Sequence, residues 1–437
     1  MEDLGDNKKN RWAMATFITV TVVIVAIVLA VFYSRQSNEY KLESLNKSYD
    51  YIIVGGGSAG SVLASRLSES PGVTVLLLEA GDIEENNFLV TTPGAVHLLQ
   101  HSELDWEYYT VPQKTSQFGI YDQKSFWPRG RVVGGTSILN YLVYNRGSRH
   151  DFDGWAHNGC EGWSYQEVLP YFLKSEDNII PEVMDSKYHS KGGPLKVTES
   201  RAMTLVDTFL DAGKEMGEHI IDCNGYSQDG FCPLQSTKSE KGTRWSTYDA
   251  FLKPALGRDN LHLSVNSLAT KVIFEERRAV GVEFIKNGRK KFVTVDNEVI
   301  LSAGAVETPH LLMLSGIGPK EHLTDMDIMT ISDLPVGENL QDHMMSIVYN
   351  CINGTQSMTE KQASSISNTM RYLLFGTGSH VTRSRYIHQV TAASLHLLQV
   401  SAFQTFTESF SQDDAQMDMV QHVCQSSPSI PVLGFGT

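Results

Sequence analysis

The chain has 437 residues, of which 41% are hydrophobic and 20% are charged. This composition is typical of folded globular proteins and excludes a largely disordered chain, while the length favours two or three domains over a single core. The formal net charge is −14 and no basic tract stands out, which argues against a nucleic-acid partner.

The first predicted element is an apolar segment at residues 13–33, which contains 21 residues without a charge. A helix rising about 1.5 Å per residue would be long enough here to cross a hydrocarbon core of about 30 Å. We therefore expect a tail at 1–12, a single-pass membrane anchor at 13–33 and a linker at 34–48. The alternative is a cleaved signal peptide and a secreted protein.

The side of the membrane on which the body lies is indicated by two weaker features. Basic residues crowd the N-terminal side of the apolar segment more than its other side, which favours a cytoplasmic N-terminus. Sequons begin at Asn46 and Asn353, and such sites are glycosylated only in the secretory pathway. Both features predict a lumenal or extracellular body.

A glycine-rich loop comes next, between patterns typical of a strand–helix–strand unit. Periodicity predicts a buried strand, a helix and a second strand at residues 51–54, 58–69 and 73–78. Gly55, Gly57 and Gly60 give the spacing G-x-G-x-x-G, and Glu79 follows Gly60 by 19 residues. An acid about 20 residues after such a loop accepts ribose hydroxyls and would repel a 2′-phosphate. The unit therefore predicts a dinucleotide site that disfavours NADP.

Each residue of this loop has a physical role in the predicted site. Gly55 permits the tight turn, Gly57 lets the backbone approach a pyrophosphate, and Gly60 lets the helix pack closely on the strand. The free N–H groups at the helix start, around Ser58 and Ala59, face the phosphates. NAD and FAD both suit this arrangement, so the loop alone leaves the choice between them open.

A second glycine-rich stretch at 127–147 has the features of another ligand contact. The Gly-Gly pair at 134–135 allows the backbone to lie against a flat or charged group. Thr136 and Ser137 offer hydroxyl hydrogens to a phosphate, and Asn140 offers both a donor and an acceptor to a heterocycle. By itself, the stretch is equally compatible with a glycine turn that leads into a strand.

Taken together, these motifs resemble those of the glucose–methanol–choline (GMC) oxidoreductase family. Residues 130–147 resemble the first signature of the family, and residues 304–318 resemble the second. Further similar pieces, in the same order, lie at 50–60, 103–113, 162–177, 242–255 and 334–343. The resemblance extends over 49–351 and is greatest to insect- and tick-type glucose-dehydrogenase-like members.

The resemblance implies a fold as well as a cofactor. The expected fold is α/β, with a Rossmann-like FAD-binding domain and a discontinuous, incomplete α+β substrate-binding domain. The family's N-terminal FAD-binding region would span 49–345, with a substrate-domain segment inserted at about 155–251. Residues 346–437 would form an incomplete substrate-domain and C-terminal region.

The resemblance also implies which residues hold FAD. The pyrophosphate contacts are Gly55, Gly57, Ser58, Ala59 and Gly60, and Glu79 holds the ribose. Val133, Thr136, Asn140 and Val143 line the flavin end, together with Gly134, Tyr141 and Leu142 of the same stretch. Val272 contributes backbone to the adenine. Some members attach FAD through a His just before the Asn, but this chain has Leu139 there, so the FAD is expected to be non-covalent.

The implied reaction is oxidation of an alcohol or sugar, with hydride transfer to the flavin and oxygen or a quinone as the electron acceptor. The family's catalytic base is a His near the end of a full-length member, and it is expected beyond Thr437. No catalytic residue is therefore assigned in this chain, and its own turnover is expected to be small. The alternative is an inactive flavin-binding or membrane-surface interaction protein.

Three local predictions concern the cysteines and the second signature. None of the five cysteines occurs in a CxxC or at metal-finger spacing with His, so no metal site is predicted. Cys223 and Cys232 are the preferred disulfide pair because the loop between them is short and polar. In the second signature, Thr308 is the predicted N-cap of a helix that ends at Gly316.

Overall fold

The computed structural model describes residues 45–85, 87–199, 204–343, 367, 371 and 372. The predicted anchor at 13–33 and almost all of the C-terminal region from 346 lie outside these ranges. Within them, no helix combines the length and the apolar character needed to cross a bilayer.

The strands and helices of the described ranges are numbered in chain order. The strands are β1 (Ser48–Val54), β2 (Val75–Leu78), β3 (Tyr108–Tyr109), β4 (Phe126–Trp127), β5 (Glu176–Asn178), β6 (Leu195–Glu199), β7 (Gln235–Ser236), β8 (Leu261–Ser264), β9 (Ser267–Glu275), β10 (Arg278–Lys286), β11 (Arg289–Leu301), β12 (Ile317–Gly318) and β13 (Ser332–Asp333). The helices are α1 (Ser58–Leu67), α2 (Phe88–Thr91), α3 (Val96–Leu99), α4 (Arg149–His157), α5 (Tyr165–Ser175), α6 (Thr204–Glu215), α7 (Lys253–Ala255), α8 (Gly304–Leu314) and α9 (Lys320–Asp325).

The central feature is a six-stranded sheet with the order β8-β2-β1-β11-β10-β9. The first four strands in that order are parallel, and β9, β10 and β11 form an antiparallel meander. Strand β11 belongs to both parts, since its first half pairs with β10 and its second half pairs with β1. The predicted α/β fold with a parallel, Rossmann-like sheet is confirmed.

Both faces of the parallel strands are buried, as expected for such sheets. Ile52 and Val54 of β1 face a core that includes residues of β9, β10, β11 and α8. Ile53, which alternates with them, faces a second core with Ala64 of α1 and with Tyr248, in a π-helical turn. The helix α1 is thereby fixed against the end of β1, which is where the first glycine loop lies.

The boundaries of the predicted elements differ from the structure: the first two strands are Ser48–Val54 and Val75–Leu78 rather than 51–54 and 73–78. Helix α1 ends at Leu67, two residues before the predicted end. Helix α8 begins at Gly304, with Ala303 as its N-cap, so Thr308 is not the N-cap and Pro309 lies inside the helix. The prediction relied on capping preferences. In the structure β11 ends at Leu301, two positions before the N-cap Ala303, so the helix begins earlier than predicted. Gly316 follows the C-cap residue with a φ of +91°, as the predicted helix end requires.

A smaller group of elements lies within the segment predicted to belong to the substrate domain. It contains α5 and α6 and a three-stranded sheet with the order β5-β6-β7, and α4 lies at its N-terminal boundary. Cys223 and Cys232 form the predicted disulfide, with their Cα atoms 5.9 Å apart. The assignment of this segment to a separate substrate domain stays a prediction.

A buried network of charges joins this segment to the end of the second glycine stretch. Arg146 Nη2 lies 2.9 Å from Glu176 Oε2, and His189 Nδ1 lies 2.9 Å from Glu176 Oε1. The other ring nitrogen of His189 lies 2.8 Å from Asp222 Oδ2. Burial opposes the charged form of His189, but hydrogen bonds to Asp222 and Glu176 prevail and raise its pKa to about 9. Two cations and two carboxylates therefore balance one another inside the protein.

Candidate nucleotide-binding site

The first glycine loop has two glycines that the backbone itself requires. Gly55 has a φ of +99°, and a Cβ there would lie 2.4 Å from the carbonyl oxygen of Ser302. A Cβ on Gly60 would lie 1.9 Å from the carbonyl oxygen of Gly55, so only glycine lets α1 begin this close to β1. Both roles agree with those predicted from the spacing.

The middle of the loop is less crowded by protein. A Cβ on Gly57 would lie 3.6 Å from Gly135 Cα, which is an ordinary contact. Ser58 is half-buried and Ala59 is exposed, at the first turn of α1. Because the first N–H groups of a helix have no partner within it, this turn presents donors to whatever lies next to it. A bound anion would use those donors and would leave no room for a side chain at Gly57.

Glu79 follows β2 directly and is only 6% exposed. Its Oε2 accepts a hydrogen bond of 2.7 Å from the Gly56 N–H, and its Oε1 accepts one of 2.8 Å from the Gly81 N–H. Burial raises the pKa of Glu79 to about 7, although the N–H groups of Gly81 and Gly56 oppose that shift. The carboxyl group therefore supports the glycine loop and also provides a buried acceptor beside it.

The second glycine stretch packs directly on the first loop. The Gly134 N–H donates to the carbonyl oxygen of Gly56 at 2.8 Å. Gly135 has a φ of +55°, and a Cβ there would lie 2.6 Å from Gly57 Cα. Both stretches are predicted to bind the same cofactor, and in the structure their backbones are in contact.

The two hydroxyl residues after the glycine pair have different environments. Thr136 Oγ1 accepts a hydrogen bond from the Gly130 N–H at 3.2 Å, which leaves its own hydroxyl hydrogen available. Ser137 Oγ donates to the carbonyl oxygen of Gly134 at 2.6 Å and also lies 3.0 Å from Thr247 Oγ1. Thr136 thus suits the predicted phosphate contact, whereas the Ser137 hydroxyl is used inside the protein.

Asn140 is half-buried, and its side-chain oxygen has two donors. Asn140 Oδ1 accepts from the Leu142 N–H at 3.1 Å and from Arg244 Nη1 at 2.8 Å. Arg244 was not predicted as a site residue, although it lies in the stretch 242–255 that resembles the family. A single Arg between polar residues and an apolar run was the available signal.

The three residues after Asn140 lead away from the glycine loops. Tyr141 is half-buried, while Leu142 is 1% exposed and has a φ of +60°. Val143 forms an isolated bridge with Ser236 of β7. The backbone thus turns at Leu142 from the glycine stretch towards the smaller sheet, and Tyr141 and Val143 stay close to Asn140 by chain connectivity.

Two further predicted cofactor residues, Val133 and Val272, are buried. Val133 is 2% exposed and packs in a core with Ile53. Val272 is 3% exposed, and its N–H donates to Ser315 Oγ at 2.8 Å. The part of β9 beside Glu79 is Ser267, whose N–H donates to the Glu79 carbonyl oxygen at 2.8 Å. The contacts of Val133 and Val272 with FAD stay predictions.

Comparison with known proteins decides the family. A family model described as GMC oxidoreductase matches residues 49–345, which is more than half of the chain. The chain belongs to the GMC oxidoreductase family. Glucose dehydrogenase [FAD, quinone] of Drosophila melanogaster is 41% identical over 349 residues, which cover 79% of this chain and 55% of that protein. Oxygen-dependent choline dehydrogenase of Burkholderia ambifaria is 41% identical over 313 residues, which cover 70% of this chain and 54% of that protein.

The fold of this GMC oxidoreductase is also similar to that of solved structures. An FAD-dependent oxidoreductase from Chaetomium thermophilum superposes with a TM-score of 0.68 at 30% identity, over 76% of this chain and 60% of that one. The predicted family membership is confirmed. The chain spans about half the length of the relatives named here, at 55% and 54%.

Proposed function

We propose that this GMC oxidoreductase binds FAD without a covalent bond and oxidises CH–OH groups. The observation that carries the proposal is the contact between the two glycine stretches, with the buried acceptor Glu79 beside them. The names of two similar proteins, the glucose dehydrogenase and the fungal oxidoreductase, both state FAD.

The described residues fit a dinucleotide with a flat ring system. Gly57 and the first turn of α1 would hold the pyrophosphate, with the Thr136 hydroxyl as a further donor. Glu79 would accept the ribose hydroxyls, and Asn140 would face the flavin end. Leu139 is 1% exposed and has no nucleophilic atom, which supports a non-covalent attachment.

When bound, FAD would supply the acceptor for the hydride that leaves the alcohol carbon. The role of the described residues is to hold that acceptor in place, because small errors in position are costly in hydride transfer. A small alcohol or sugar is the proposed substrate, following the glucose and choline in the names of the two relatives. Those names also support a quinone or oxygen as the electron acceptor.

The test is flavin binding by the purified chain and by its Glu79→Gln variant. We expect the parent protein to show a flavin absorption band and to release the flavin on denaturation. In Glu79→Gln, an amide NH₂ group meets one of the two backbone N–H donors and the charged acceptor for the ribose is lost. Lost hydrogen bonds to a charged group cost about 1.5–3 kcal/mol, so FAD affinity should fall about 10- to 100-fold.

Glu69→Gln is the matched control, because Glu69 is exposed and its ion pair with Arg66 lies at the surface. It should bind FAD like the parent protein. Anaerobic addition of small alcohols and sugars should bleach the flavin band if the substrate class is right. A colourless parent protein that cannot be reconstituted with FAD would refute the proposed cofactor.

The pH dependence of FAD affinity gives an independent check of Glu79. The pKa of Glu79 is raised to about 7 by burial, and the ribose hydroxyls need an acceptor. Protonation removes acceptor capacity, so FAD affinity should rise with pH up to about 7 and level off above it. Glu79→Gln should lack this dependence between pH 5 and 8, at about the range set by that pKa.

We also propose that residues 13–33 anchor the chain in a membrane, with the body on the lumenal or extracellular side. The Cys223–Cys232 disulfide supports an oxidising compartment, and Asn46, at the start of a sequon, is exposed. In cells, an endoglycosidase should shift the mobility of the parent chain, with a smaller shift after Asn46→Gln. The orientation would be wrong if the body carried no glycan and were protected from protease inside cells. A mature N-terminus just after Phe32 would instead mean a cleaved signal peptide and a secreted protein.

A further inference from the structure

Arg244 is a buried cation that contacts the second glycine stretch. The residue is 3% exposed, and its guanidinium reaches three oxygens. Nε donates to the carbonyl oxygen of Val90 at 3.1 Å, and Nη1 donates to the carbonyl oxygen of Ser137 at 3.0 Å and to Asn140 Oδ1 at 2.8 Å. One side chain thus ties helix α2 to the second glycine stretch.

The remaining nitrogen of this guanidinium is buried as well. Nη2 is shielded from solvent and makes no hydrogen bond to any residue in the ranges that the structure describes. Burial lowers the pKa of Arg244 to about 9, so the group still carries its charge at neutral pH. A charge buried in this way destabilises the fold unless its hydrogen bonds are well placed. The guanidinium must therefore keep its position relative to the three oxygens.

The contact with Asn140 decides how that side chain can act. Asn140 Oδ1 already accepts from Arg244 and from the Leu142 N–H. A carbonyl oxygen has two lone pairs, so both are in use. Among the described residues, Asn140 Nδ2 takes part in no hydrogen bond. The amide of Asn140 is therefore fixed with its NH₂ group as the free end.

We propose that Arg244 is a positioning residue that holds Asn140 as a hydrogen-bond donor to the flavin ring system. Its charge-assisted hydrogen bond fixes the amide in one of its two orientations, and its contact with Ser137 fixes the backbone from which Asn140 projects. The partner of the NH₂ group is then an acceptor atom of the isoalloxazine. The inference rests on the proposed FAD binding and adds a residue that acts through Asn140.

The geometry predicts that lysine cannot replace Arg244. The guanidinium has several N–H donors in a fixed plane and reaches Val90, Ser137 and Asn140 together, whereas an ammonium is a single point donor. Arg244→Lys keeps the charge and most of the volume, so it separates positioning from charge. Arg258→Lys is the matched control, because Arg258 Nη1 also bridges two oxygens, Ser65 O at 2.5 Å and Ser68 Oγ at 2.7 Å, away from the glycine loops.

The test is a double-mutant cycle on FAD affinity with Arg244→Lys, Asn140→Ala and the double variant. Each single change should weaken FAD binding about tenfold, the size of one lost hydrogen bond of this kind. In the double variant the affinity should stay within about twofold of Asn140→Ala, because Arg244 acts through Asn140. Losses that multiply to about a hundredfold would overturn the inference, as would an Arg244→Lys protein that binds FAD like the Arg258→Lys control.

A measurement without flavin separates this inference from the proposed function. In the protein prepared without FAD, hydrogen exchange of the peptide that contains the Leu142 amide should be about tenfold faster in Arg244→Lys and unchanged in Arg258→Lys. A parent chain that binds no FAD refutes the proposed function, and the role of Arg244 towards flavin falls with it. Unchanged exchange in Arg244→Lys refutes the positioning itself, even if the parent chain binds FAD.

Discussion

Replacing Gly60 with alanine should abolish FAD binding and destabilise the fold. The new Cβ would lie 1.9 Å from the carbonyl oxygen of Gly55. That oxygen cannot move aside easily, because the Gly55 N–H is held by the carbonyl oxygen of Leu78 at 2.8 Å. Helix α1 must then shift away from β1, at a cost of about 3 kcal/mol or more in the free energy of unfolding. We expect the FAD affinity to fall at least about 100-fold, which is a comparable loss in the free energy of binding.

Urea unfolding and FAD titration of Gly60→Ala would measure these effects, with Gly154→Ala as the control. Both glycines lie inside helices, but a Cβ on Gly154 would meet no atom within 4 Å. Because alanine is favoured over glycine in helices by up to about 1 kcal/mol, the control should be neutral or slightly stabilising. If Gly60→Ala bound FAD within twofold of the parent protein, the close packing of α1 on β1 would not be required.

The second large effect is expected at His189. The side chain is fully buried, and its two ring nitrogens lie 2.9 Å from Glu176 and 2.8 Å from Asp222. His189→Ala would leave the buried Glu176 and the partly buried Asp222 with Arg146 as the compensating charge that pairs with Glu176. Removing one partner of a buried ion pair costs about 3–5 kcal/mol, and we expect a loss of that size in the free energy of unfolding. His101→Ala is the control, because His101 pairs with Glu107 at the surface and should change stability by less than about 1 kcal/mol.

The pH dependence gives the sign of the His189 contribution. The pKa of His189 is raised from 6.5 to about 9 in the folded protein, so folding favours the protonated form. Its contribution is therefore fully present below about pH 6.5 and is lost as the pH rises through about 9. The difference in unfolding free energy between the parent and His189→Ala should shrink between pH 7 and 10, at about that pKa. A difference that is small and constant over this interval would contradict a charged His189.

The parts of the site that the sequence predicts well are those built from local interactions. The first glycine loop follows β1 and opens α1, so the spacing of Gly55, Gly57 and Gly60 already contains its geometry. Glu79 is predicted correctly at the end of β2 because a parallel sheet brings the ends of neighbouring strands together. The glycines lie within six consecutive residues, and a single helix and a single strand separate them from Glu79.

The parts that the sequence does not predict depend on contacts between distant segments. Arg244 reaches Asn140 across 104 positions of the chain, and no periodicity indicates such a contact. The contact of Ser267 with Glu79 depends on the register of β9, which also buries Val272 in the core, and no local pattern in the sequence indicates that register. The hydroxyl of Ser137 was available to a phosphate in the sequence, but the 3₁₀ turn at Gly135–Ile138 directs it to the carbonyl oxygen of Gly134.

The pairing of β1 with β11 has a consequence for the synthesis of the protein. Thr294 donates to the carbonyl oxygen of Lys47, and these two residues are 247 positions apart. The ribosome adds about 5–20 residues per second, so β1 waits roughly 12–50 s before its neighbour has been made. During that time the backbone N–H and C=O groups on that edge of β1 have no partner strand, and other chains can pair with them. The parallel sheet therefore cannot be completed before β11 has been made, and β1 waits longer for this neighbour than β2 waits for β8.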